Sequence, residues 1–146
     1  MTKRLIAMVG AGALLLLLPT VAGATTTQTV HLNGSPIDVG PAGCVAGDLV
    51  ITGNGVLHTT VNNAGDSWMT GTVEGSATTT GSSGFSGHGV AWFGTEDNAQ
   101  NSVNHFIANS TGTLSDGSSV SIHQEGQFTV NANGLPTVTR VTTTCR

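Results

Sequence analysis

The sequence predicts an all-β domain: an antiparallel meander of about eight strands closing into a small barrel, with a two-sheet β-sandwich as the alternative. Three observations carry this expectation. Beyond residue 24 no run shows 3.6-residue apolar spacing, and glycine interrupts nearly every window in which a helix could propagate. Val, Ile, Phe and Trp recur instead in strand-length runs, separated by short segments rich in Gly, Asn, Asp and Ser. Two cysteines, Cys44 and Cys145, lie at positions where a disulfide would tie the last strand to the start of the domain.

Residues 1–24, MTKRLIAMVGAGALLLLLPTVAGA, have the three parts of a secretory signal peptide. Lys3 and Arg4 precede an apolar run from Leu5 to Leu18, and Ala22-Gly23-Ala24 supplies a small-x-small cleavage site before Thr25. The expected organisation is therefore a removed signal peptide (1–24), an N-terminal strand and connection (25–43), and a barrel domain closed by a disulfide (44–146). No second long apolar run follows, so the mature chain is expected to be secreted and to carry no membrane span. Cleavage leaves Arg140 and Arg146 against eight acidic residues. A surface this acidic has no footprint for phosphate backbones, which excludes nucleic acid as a partner. In an exported protein an even cysteine count reads as a disulfide. Closing a loop of about 100 residues is worth up to roughly 4.7 kcal/mol in the chain-entropy model.

The strand runs follow in order. QTVHLNG (28–34) is a short first strand, followed by the Pro/Gly-rich connection SPIDVGPAG, and CVAGDLVIT (44–52) is a second strand. Six longer runs come next, at 56–62, 67–79, 85–94, 102–114, 119–131 and 136–145, separated by NNAGD, TGSSG, TEDNAQN, SDGS and ANGL. Asp116-Gly117 and Asn133-Gly134 are the dipeptides of type I′ two-residue hairpins. Counting from the first turn places His105 opposite Phe128 and Asn109 opposite Gln124, on a mostly apolar inner face with Val103, Ile107 and Thr111. Phe106 then becomes the exception on a polar outer face. Counting through the second turn puts Thr139, Val141 and Cys145 inside and Arg140 outside, opposite Gln127. The glycines at 71, 75, 87, 89, 112 and 126 fall within strands, where glycine marks bulges or tight curvature.

Candidate ligand-binding residues follow from that register: His105, Phe128, Asn109 and Gln124, with His88 and Trp92 joining them if their side of strand 85–94 faces inward. The competing reading makes His105 a core histidine bonded to neighbouring polar groups. No metal site is expected, because a His88–His105 pair lacks a third good zinc ligand. Glu96-Asp97-Asn98 offers oxygen ligands for weak calcium binding but lacks the full acidic loop pattern. Asn109-Ser110-Thr111 matches a glycosylation acceptor. His58 and His123 fall on outer faces. There is no GxSxG, HExxH or phosphate loop and no free cysteine, so no catalytic residue and no cofactor is assigned.

The run from Trp68 to Cys145 resembles small secreted actinobacterial β-barrel-like proteins of unknown function. The motifs that carry the resemblance are WMTGTVEG (68–75), GHGVAWFG (87–94), NHFIANSTGTLSDGSSVSIH (104–123) and FTVNANG (128–134), with the closing cysteine. It implies a secreted barrel-like domain and carries over no catalytic residue. A distant topological likeness to allene oxide cyclase and dirigent barrels implies fold and not function.

Three function classes remain after these exclusions. The first is a secreted binding module holding a small, largely apolar ligand in the barrel. The second is a cavity-free extracellular or cell-envelope protein meeting another protein through Phe106, Val138 and Trp92. The third is a cyclase or isomerase that shapes its substrate without a motif.

Overall fold

The computed structural model of the chain describes residues 25–82 and 84–146. The expected signal peptide, residues 1–24, lies outside the described residues. Seven strands form one antiparallel sheet in sequence order: β1 (Thr26–Pro41), β2 (Asp48–Val61), β3 (Ser67–Thr79), β4 (Ser86–Asp97), β5 (Asn101–Thr113), β6 (Ser119–Asn131) and β7 (Pro136–Cys145). None of the described residues is helical.

The count is seven because the expected strands 44–52 and 56–62 are one. β2 runs without interruption through Gly53-Asn54-Gly55, which pairs with β3 on one side and β1 on the other. Most of the Pro/Gly-rich connection is strand as well. Ser35 to Pro41 pair with β2 across two register shifts, beside Gly34 at φ 64° and Gly40 at φ 94°. Pro36 and Pro41 are accommodated because β1 is an edge strand, where a missing N–H can face away from the ladder.

A flat sheet of seven strands would hold its edges roughly 29 Å apart, six spacings of about 4.8 Å. Here Cys44, in the β1–β2 connection, is disulfide-bonded to Cys145 at the end of β7, with Cα atoms 6.3 Å apart. Nearby, the Gln124 side-chain amide donates to the Pro41 carbonyl at 2.7 Å. The sheet therefore curls until its edges meet at this end. No β1–β7 ladder forms, so the barrel expected from the meander is not closed by hydrogen bonds.

Glycine on the inner face accompanies this curl. Gly53, Gly75 and Gly89 lie directly opposite one another across β2, β3 and β4. A Cβ on Gly53 would overlap the Glu74 carbonyl oxygen, and one on Gly75 would overlap that of Thr52. The neighbouring strand's backbone thus occupies the space a side chain would need. The buried core gathers at the disulfide-bonded end, where Val39, Ala42, Leu49, Ile51, Val73, Ala77, Phe85, Ala91, Ala108 and Ile122 pack together. Toward the other end the concave face is only half-buried. There Phe93 and Phe106, opposite each other, lean apart onto Gly71 and Gly126, where a Cβ would meet the rings.

The turns differ from expectation in one way, with two outcomes. At Asp116-Gly117, Leu114 N–H donates to Ser118 O (2.9 Å), Gly117 N–H donates to Leu114 O (2.9 Å), and only Gly117 has positive φ (86°). This is a three-residue loop with a G1 bulge and not a two-residue type I′ turn. It moves the β5–β6 register by one residue, so Ala108 faces Gln124 and Phe106 faces Gly126. Every β5 side chain consequently changes face. Phe106, Ala108 and Ser110 point inward, while Val103, His105, Ile107, Asn109 and Thr111 point outward. Asn133-Gly134 forms the same loop between Asn131 and Leu135. There a register shift between Thr129 and Val130 takes one residue back, and Phe128–Thr139, Gln127–Arg140 and Ile122–Cys145 pair as expected.

Two outcomes test this description. Gly53→Ala should cost about 3 kcal/mol or more in chemical denaturation, because the clash is with backbone. Gly65→Ala, at φ 89° in open space, should cost about 1–3 kcal/mol from strain alone. Separately, the Asp116 carboxylate is held below its usual pKa, first by the Ser118 hydroxyl and then by the Ser118 backbone N–H. A depressed carboxylate stabilises the fold above its unfolded pKa, and that contribution is lost as pH falls through the folded pKa. Ser118→Ala should raise the Asp116 pKa in an NMR titration; an unchanged midpoint would contradict the assigned cause.

Candidate functional site on the convex face

The corrected register defines the outer, convex face: even positions of β3, β4 and β7, odd positions of β5 and β6. About half of these positions carry Thr, Ser, Asn or Gln, and the exposed apolar side chains among them are Trp68, Val90, Trp92, Ile107 and Val138. Trp92 on β4 is 36% exposed and lies directly opposite Ile107 on β5, itself 42% exposed. One pair further along, His105 faces Gly94, and the absent side chain lets the imidazole lean across. A Cβ on Gly94 would come within 2.9 Å of His105 Nε2. The His105 ring meets the Trp92 ring with centroids 4.8 Å apart and planes tilted by 45°. Each ring restricts the other, which gives an exposed aromatic pair a fixed geometry.

Polar groups continue both rows across the sheet. Glu125 on β6 faces Ile107, Gln127 faces His105, and Arg140 on β7 faces Gln127. His105, Ile107, Glu125, Gln127 and Arg140 border a groove of about 240 Å³. His88 Nε2 and Glu74 Oε1 are 3.4 Å apart, the one contact between a basic and an acidic side chain among the described residues. The side chains of Glu125, Gln127 and Arg140 make no hydrogen bond or ion pair with any described residue. Their donor and acceptor capacity faces solvent. A second groove of about 390 Å³ lies toward the chain terminus, bordered by Asn109, Thr111, Ser121, His123, Thr144 and Arg146. There His123 Nδ1 and Asn109 Oδ1 are 2.7 Å apart.

The structure separates the residues that the sequence grouped as a barrel lining. His105 and Asn109 are exposed on the convex face because of the one-residue register shift. His88 and Trp92 are also convex and exposed, and the exposed His88–Glu74 pair contributes little. His88 pairs with Thr111 while His105 pairs with Gly94, six residues further along β4 and about 20 Å away at strand rise, so the two cannot share a metal. No group of three or more His, Cys, Asp or Glu is placed to hold a metal ion among the described residues. In the Glu96-Asp97-Asn98 run, Asn98 Oδ1 accepts from the backbone N–H groups of Gln100 and Asn101, so its oxygen serves the turn.

Phe128 and Gln124 remain on the concave face. Phe128 is half-buried toward the open end. Gln124 is fully buried and its amide binds the Pro41 carbonyl, which makes it a structural clasp. Its Oε1 and the Ser110 Oγ are buried without a hydrogen-bond partner. Phe106, expected outside, is inside over Gly126. Ile107, expected on the inner face, is outside, and Glu125, Gln127 and Arg140 are not among the candidate residues. The signal that would have found them is the run of small residues Ala108, Ser110 and Gly112, which suits the crowded side of a curled sheet better than His105, Ile107 and Asn109 do.

No family model, curated protein or solved structure matches this chain.

These placements rank two substitutions. Gln124→Ala should destabilise by about 2–4 kcal/mol through the lost clasp and the space left behind. His105→Ala should stay within about 0.5–1 kcal/mol while altering Trp92 fluorescence. Equilibrium denaturation of the two variants checks this, and the opposite order would put His105 back in the core.

Proposed function

We propose that this chain is an exported binding module that acts through its convex face. The observation that carries the reading is the Trp92–His105 pair, exposed and fixed over Gly94 beside Ile107. Aromatic groups held rigid at a surface, with a polar rim, are typical of sites that dominate binding energy. The Cys44–Cys145 disulfide and the absence, among the described residues, of any helix long and apolar enough to cross a membrane are compatible with an extracellular setting.

The reading of a small apolar ligand within the curl rests now on fewer groups. His105 and Asn109 no longer line the concave face, and Gln124 is committed to Pro41. What supports it is the half-buried Phe106 and Phe128 on neighbouring strands, with Val141, 46% exposed, opposite Gly126 in the next strand.

Adding the purified, oxidised mature protein back to washed producer cells and to spent medium separates the two. Trp92→Ala should reduce retention at least tenfold while leaving thermal stability within a few degrees, and Phe128→Ala should retain wild-type binding. Loss in Phe128→Ala with full retention in Trp92→Ala would favour the concave face.

A further inference from the structure

The geometry points to a neutral carbohydrate as the ligand of the convex groove and of the Trp92 ring that borders it through His105 and Ile107, an inference that rests on the convex-face reading and specifies its ligand. The site consists of two adjacent rows. One runs Trp92, Ile107, Glu125 across β4, β5 and β6; the next runs His105, Gln127, Arg140 across β5, β6 and β7. Each row spans about 10 Å, and the two staggered rows together cover about 14 Å from β4 to β7 and about 7 Å along the strands, the footprint of two or three sugar rings.

The chemistry of the groups narrows the occupant. Trp92 presents an exposed apolar ring, suited to the C–H face of a pyranose. Arg140 only donates hydrogen bonds, ionised Glu125 only accepts them, and Gln127 does both. A hydroxyl also does both, so a polyhydroxyl ligand can satisfy all three at once, and these side chains have no competing partner among the described residues.

Other ligand classes fit less well. An anionic ligand would meet Glu125 beside Arg140, on a chain whose described residues hold eight acidic side chains against two arginines. A cation has a single carboxylate here. A protein partner of standard size covers about 800 Å² per side and places apolar groups at its centre, with charge depleted. This groove instead has Glu125 and Arg140 among its few lining residues, at the ends of the two rows, and its volume, about 240 Å³, is far below the extent of such an interface. The surrounding strands offer Thr72 opposite Trp92 and Thr142 opposite Glu125, uncharged hydroxyls that extend the same chemistry.

The test uses the oxidised chain from residue 25 carrying Trp68→Phe, so that Trp92 is the sole indole. Tryptophan fluorescence and saturation-transfer NMR are read against neutral oligosaccharides of glucose, mannose, galactose and N-acetylglucosamine. The expected result is saturable binding of at least one of them, weakened at least tenfold by Gln127→Ala and by Arg140→Ala, both surface changes that leave the fold intact. Saturation transfer to Trp92→Ala should fall equally. No saturable binding to any of the four series overturns the carbohydrate inference. If Trp92→Ala still abolishes retention on cells or medium components in that case, the convex-face reading survives with a protein as partner. Saccharide binding that persists in Trp92→Ala and Arg140→Ala but is lost in Phe128→Ala overturns both.

Discussion

Crowding on the concave side of the sheet is the constraint on which the rest of this structure depends. Seven strands must curl far enough for the β1–β2 connection to reach β7, where the disulfide joins them. Side chains on the inside of so tight a curve converge, and at Gly53 and Gly75 even a methyl group would collide with the next strand's carbonyl. The sequence meets this with glycine, alanine and serine at inner positions, and the few large inner residues gather where there is room. Leu49, Ile51, Phe85 and Ile122 fill the disulfide-bonded end, and Phe93 and Phe106 lie flat over glycines farther out.

The same constraint moves the chemistry outward. A concave face lined by backbone and covered by rings has little capacity to present polar side chains, and its buried amide, Gln124, is occupied with tying β6 to the end of β1. The convex side has the opposite geometry: side chains diverge, and long groups such as Trp92, His105, Glu125 and Arg140 can stand free or lean on one another. His105 can reach Trp92 because Gly94 leaves the space between them open. Glycine therefore serves both faces. Inside, it admits a neighbouring backbone; at Gly94, it admits a ring.

The architecture was legible in the sequence because it depends on local signals. Strand periodicity and turn composition gave an antiparallel meander, and the two cysteines gave the disulfide that the structure contains. The register of β5 was not legible, since Asp-Gly serves both a two-residue turn and a three-residue loop ending in a G1 bulge. Segregating residues by polarity then favoured the wrong choice: Val103 and Ile107 look like core residues beside Ala108, Ser110 and Gly112. Segregation by size would have chosen correctly. At Asn133-Gly134 the same misreading of the turn was cancelled by the shift at Thr129–Val130, which no local signal announced. The merging of two expected strands into β2 has a similar origin, because Gly53 and Gly55 read as a break when they are in fact sites of close backbone approach. Closure into a barrel is a non-local property, and the structure stops short of it.

The central claim is the β5 register, because it decides which side chains face out, and it can be measured directly. In a NOESY spectrum of the oxidised protein, cross-peaks are expected between the Trp92 indole and the His105 ring. Contacts are also expected from the Phe106 ring to the Gly126 Hα protons, which ring current should shift upfield. Cross-peaks from His105 to Phe128, with Phe106 showing contacts only to outward neighbours, would place β5 one residue away and return the site to the inside of the curl.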